Sequence, residues 1–114
     1  MGLLSRLTKG RIAARGTAGD DQVHLRAWAA SHEGVEAFVE PRTTVTSTTL
    51  LLVDKDGAWT RRRIADPAAA RKFARKLAMP IYDVQLVGYP QRMRDHDARE
   101  RILRERPRRA DLDG

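Results

Sequence analysis

The chain has no cysteine, which excludes disulfides, thiolate metal sites, cysteine-ligated iron–sulfur clusters and cysteine nucleophiles. No apolar run approaches the roughly 20 residues that a membrane-spanning helix needs. The N-terminus has neither the continuous hydrophobic stretch nor the cleavage pattern of a secretory signal, so a cytoplasmic location is the default expectation. Aromatic residues make up only 5% of the 114 positions and charged residues 32%. The large core-forming side chains must therefore be concentrated in the middle of the chain. At this length a second independent domain has too little core to stabilise it. Acidic residues are in deficit, 15 against 22 Lys and Arg, for a net charge of +7. A field of that sign attracts polyanions, anionic membrane surfaces or acidic protein faces. Eighteen of the cations are arginine, whose planar fork suits bidentate phosphate or carboxylate recognition, although a GC-rich genome also writes arginine freely.

Residues 1–21 read as a basic arm, flexible or ordered by a partner, with Arg6, Lys9, Arg11 and Arg15 before the first acid at Asp20. Leu3, Leu4 and Leu7 fit one face of a short helix that Gly10, Gly16 and Gly19 limit. That face offers a peripheral membrane contact through Met1–Arg15 as a lesser reading. Residues 22–106 are expected to form a single α+β domain and 107–114 a C-terminal tail. Asp21 through His32 fits either a strand leading to a turn or a short helical passage. After Gly34, Val35, Ala37 and Val39 alternate with Glu36, Phe38 and Glu40 up to Pro41, the pattern of a strand. The β-branched run before Leu50–Val53, the DKDG turn and Ala58–Ile64 make a hairpin. Asp66 and Pro67 are a helix N-cap and first helical residue. Ala70, Phe73, Ala74 and Leu77 then form a buried stripe, with Pro80 expected to stop the helix. Tyr82, Val84 and Leu86 alternate as a fourth strand, and Asp97 with Glu100 suggests a capping box opening a last helix that ends at Pro107. The fold class expected is a small three- or four-stranded, mainly antiparallel sheet packed by one or two helices. The Ala68–Met79 helix lies across one face, and the strands on either side of it run parallel.

The residues that carry chemistry elsewhere are present without the spacing that chemistry needs. His24, His32 and His96 are scattered, so neither a metal centre nor a catalytic base is indicated, even with Glu36 and Glu40 nearby. Asp54 and Asp56 belong to a turn, because a calcium loop needs further oxygen ligands and a terminal Glu. The run Gly16–Thr17–Ala18–Gly19 lacks the strand–helix setting of a dinucleotide fingerprint and the lysine of a P-loop. Ser5, Ser31 and Ser47 have no nucleophile elbow around them. No catalytic residue, metal or cofactor is assigned, and a binding role is favoured over an enzyme with an unrecognised site.

The binding constellation joins Arg61, Arg62 and Arg63 on the hairpin to Arg71, Lys72, Arg75 and Lys76 on the helix. These cations are expected to converge on the phosphates of RNA or a ribonucleoprotein, with Trp59 or Tyr89 stacking on an unpaired base. The alternative is an adaptor or accessory subunit that docks the same arginines on an acidic protein surface. The stretch TRRRIADPAAARKFARKLAMPIYDVQLVGYPQRMRD resembles a family of small basic proteins of uncharacterised function from high-GC bacteria. The likeness runs from about Gly34 to Asp97. It implies one compact domain, and some relatives carry a general oxidoreductase label. Gly16–Gly19 does not match the nucleotide motif that label requires, so no activity is carried over.

Overall fold

The computed structural model describes residues 18–113. Four strands, β1 (Glu36–Glu40), β2 (Thr49–Val53), β3 (Trp59–Arg63) and β4 (Ile81–Asp83), form one sheet in the order β3-β2-β1-β4. β2 is antiparallel to both neighbours, whereas β4 runs parallel to β1. Four helices complete the chain: α1 (Ala18–Ala30), α2 (Pro67–Lys76), the single turn α3 (Val84–Val87) and α4 (Gln91–Asp113). The protein is a small α+β fold with a mixed sheet. β3 and β4 point the same way, as expected of strands flanking α2, but they occupy opposite edges of the sheet.

The continuous apolar run of β2 is explained by its central place, because both of its faces are buried. Leu50 and Leu52 face one side, where Leu25 of α1 and Ala70, Phe73 and Ala74 of α2 close a core with Ala37, Val39 and Ile64. Leu51 and Val53 face the other, against Phe38, Trp59 and Met93 of α4. Helices thus cover both faces, α1 and α2 on one and the start of α4 on the other.

α2 forms as its sequence dictates. Asp66 accepts a hydrogen bond from Ala69 N at 2.8 Å and Pro67 follows it, which satisfies an orphan donor and supplies the φ of a first turn. The helix ends before Pro80. Met79 N donates to Ala74 O at 3.0 Å and Ala78 N to Arg75 O at 3.1 Å, a Schellman closure that places Ala78 at φ +54°. The passage Asp21–His32, open between strand and helix, is the helix α1. Leu25 is fully buried and Trp28 and Ala29 pack beside it, an i, i+3, i+4 face, and Asp20 and Asp21 in its first turn complement the helix dipole.

Three boundaries differ from the sequence expectations. The fourth strand stops at Asp83, whose carboxylate accepts from Gln85 N at 2.8 Å and turns Val84–Val87 into α3. Local capping here outcompetes the alternation of Tyr82, Val84 and Leu86. The last helix begins at Gln91, directly after Pro90, so Asp97 is not its cap; its carboxylate instead accepts from Trp59 Nε1 at 2.9 Å. α4 also continues through Pro107 to Asp113, since a proline forfeits one ladder bond without ending the helix on both sides. The first turn of α4 sits on the DKDG turn. Gly57 is buried at φ +93°, and a Cβ there would lie 2.0 Å from Arg92 O, so both the turn and the close approach require glycine. Residues 1–17 of the expected arm lie outside the described residues.

Candidate functional site

β1 ends on Glu40, which sits opposite Thr49 in the β1–β2 register. Its carboxylate accepts from Thr49 Oγ1 at 2.7 Å, from Arg61 Nε at 2.6 Å and Arg61 Nη2 at 2.9 Å, and from the Tyr89 hydroxyl. Burial alone pushes the Glu40 carboxyl up, but the donors from Arg61, Tyr89 and Thr49 together outweigh it and hold it below the usual carboxylate range. The hydrogen bond to Glu40 pushes the Tyr89 hydroxyl up, with burial acting in the same direction. These groups floor an open depression of about 420 Å³, walled by Thr43, Thr46 and Gln85. A carboxylate has about four acceptor sites, and here four donors fill them. Glu40 therefore fastens the Tyr89 segment to the sheet and has no free lone pair with which to act as a base.

The other hairpin cations are also engaged. Trp59, Arg61 and Arg63 stand opposite Val53, Leu51 and Thr49, on the face that α4 covers, with the Arg61 guanidinium 5.2 Å from the Trp59 ring centre. Arg62 points to the opposite face, where its Nε lies 3.8 Å from Asp21 of α1. His24 of α1 bridges the same region, with Nε2 2.7 Å from Thr60 Oγ1 and Nδ1 3.4 Å from Arg62 Nη2. The arginine donor leaves Nδ1 as acceptor, so Nε2 carries the proton and donates to the threonine. Burial, then the neighbouring Arg62, hold the His24 imidazole below its ordinary pKa.

The cations of α2 are placed differently. Arg71, Lys72, Arg75 and Lys76 are all exposed, because the helix buries Ala70, Phe73 and Ala74 on its opposite arc. Arg26 of α1 and Lys72 and Lys76 of α2 border a depression of about 240 Å³ floored by Ala69, Phe73 and Leu77. Among the described residues none of these five cations has a carboxylate partner, in contrast to Arg61, Arg62 and Arg92, which face Glu40, Asp21 and Glu36.

The expected convergence of hairpin and helix cations is only partial: Arg62 lies on the α1–α2 side of the sheet, whereas Arg61 and Arg63 lie on the other. The sheet separates Arg61 and Arg63 from the α2 row, and it carries Trp59 and Tyr89 away with them, their polar ends already bonded to Asp97 and Glu40. What sequence reasoning missed was Arg26 on the basic face and Glu40 as an organising group. Arg26 lies four residues after Gln22 in a segment whose sequence fits a strand as well as a helix; Glu40 has partners 9, 21 and 49 residues distant, for which no local signal exists. Among the described residues no group of three or more His, Asp or Glu side chains could hold a metal ion. Nor is any helix among them long and apolar enough to cross a membrane. Comparison with family models, curated proteins and solved structures finds no match to the chain.

Proposed function

We propose that this protein is a cytoplasmic binding module that docks an acidic segment of a partner protein on its α1–α2 face, through Arg26, Arg71, Lys72, Arg75 and Lys76. The observation that carries the reading is the absence, among the described residues, of any carboxylate facing these five exposed cations, whereas Arg61, Arg62 and Arg92 each face one. Arg75 and Lys76 have a local reason to be where they are, since cations in a last turn complement the helix dipole. Arg71 and Lys72 have none, and the spacings 71/75 and 72/76 set like charges one turn apart, an arrangement that costs about 0.2–0.5 kcal/mol per pair in isolation. An anionic partner relieves that repulsion.

A protein partner is favoured over RNA by what accompanies the charge: apolar Phe73 and Leu77 between the cations, and both candidate stacking rings on the far face. RNA held by its phosphates is the second reading, supported by four cations on one ten-residue helix. A pull-down from the protein's own cells, with and without nuclease, separates the two. The expected result is a complex that survives nuclease, dissociates at high salt and is absent for the variant in which Arg71, Lys72, Arg75 and Lys76 are all Gln. Loss of the complex on nuclease treatment supports RNA, and retention of every partner by the folded variant removes this face from consideration.

A further inference from the structure

The depression between Arg26, Lys72 and Lys76 does not end at Leu77. A second one of about 440 Å³ shares Arg26 and Leu77 with it and continues past Ala78 and Met79. The seam between α1 and α2 is thus a trough with two unlike ends. One end carries Lys72 and Lys76 beside Phe73, whereas the other runs over the half-buried Leu77 and Met79, and Arg26 borders both.

We infer that this trough is a peptide-binding site for a short segment that is acidic at one end and carries apolar side chains at the other. The acidic end lies over Arg26, Lys72 and Lys76 and the apolar residues over Leu77 and Met79. The inference rests on the acidic-partner reading of the same face and adds a recognition rule to it. Charge alone makes the cations attractive to any polyanion; the apolar stretch distinguishes ligands, because a hydrophobic anchor gains affinity there and a bare chain of carboxylates or phosphates does not. The basic residues of this chain's own Met1–Arg15 segment, Arg6, Lys9, Arg11 and Arg15, make it an unsuitable occupant by charge.

The test titrates the full chain with two synthetic 12-residue peptides, following fluorescence anisotropy at two salt concentrations. The first has Asp and Glu in one half and leucines in the other, and the second has serine in place of each leucine. A uridylate 12-mer serves as the nucleic-acid probe. The leucine peptide is expected to bind about tenfold or more tightly than the serine peptide, the gain of burying one apolar side chain. Leu77→Gln is expected to abolish that difference, and Lys72→Gln with Lys76→Gln to weaken both peptides and flatten their salt dependence. Because Leu77→Gln can perturb folding, a spin label on the apolar end of the peptide provides a second readout in the unmodified protein. It is expected to broaden the amide signals of Leu77 and Met79. Equal affinity of the two peptides, or broadening elsewhere, overturns the trough while leaving the charged face standing. Binding of the uridylate with no binding of either peptide overturns both.

Discussion

Glu40 and His24 show how single side chains tie this sheet to its surroundings, and each makes folding depend on pH in its own way. The Glu40 carboxyl is held below its ordinary value in the folded protein, so in the unfolded chain it takes up a proton first. Its contribution is present above the unfolded pKa of about 4.3 and is lost as pH falls through the lower folded value. Glu40→Gln is expected to lower stability at neutral pH by about 1–3 kcal/mol, through loss of charge-assisted hydrogen bonds, and to flatten the acid limb of a denaturation series below about pH 4.5. His24 is also depressed, by burial and then by Arg62, but it is a base. The unfolded chain therefore binds the extra proton, and stability falls as pH drops below the unfolded pKa of about 6.5. His24→Gln, with its uncharged amide, is expected to lessen the stability change between pH 7 and pH 5 measured by urea unfolding. A change at least as steep in the variant contradicts the neutral tautomer assigned to His24.

The elements differ in how far they could be read from local sequence. β2, the β2–β3 turn and the start of α2 were legible because their signals are short-range: a Thr-rich lead into Leu50–Val53, Asp54–Gly57 at a tight turn, and Asp66 before Pro67. α1 was ambiguous because Val23, Leu25, Ala27 and Ala29 mimic alternation, whereas only Leu25 of these is deeply buried. The helical contacts come from Trp28 and Ala29 across the sheet. α4 was misplaced because Asp97 looks like a cap and its actual partner, Trp59, is 38 residues away. Two predictions belong to α2. Phe73→Ala is expected to cost about 3–5 kcal/mol by opening a cavity between sheet and helix, with Lys72→Ala within about 0.5 kcal/mol of the parent; equal losses in a denaturant titration contradict the assigned face. Ala78 is at φ +54°, a left-handed conformation that an L side chain resists. Ala78→Gly is expected to raise stability by about 0.5–1 kcal/mol, and a lower melting temperature counts against the Schellman closure.

At the level of the whole molecule, the sheet divides two chemically different surfaces. On the α4 side Arg61 is spent on Glu40, and Arg92 on Glu36 and on Asp54 O at 2.8 Å. On the α1–α2 side Arg62 faces Asp21, whereas Arg26, Lys72 and Lys76 border an apolar seam with no carboxylate partner among the described residues. The net charge of +7 was legible in the sequence, but not how the cations divide between the two faces, because that depends on strand parity and helix placement. The most direct measurement compares the salt dependence of binding to one acidic probe, polyglutamate, for three folded proteins. These are the unmodified chain, Arg61→Gln with Arg63→Gln, and the variant with Gln at positions 71, 72, 75 and 76. The α1–α2 face as the binding surface predicts that the hairpin variant keeps the parent's affinity and salt slope while the α2 variant loses most of both. An α2 variant that binds as the parent does, with the hairpin variant weakened, contradicts it.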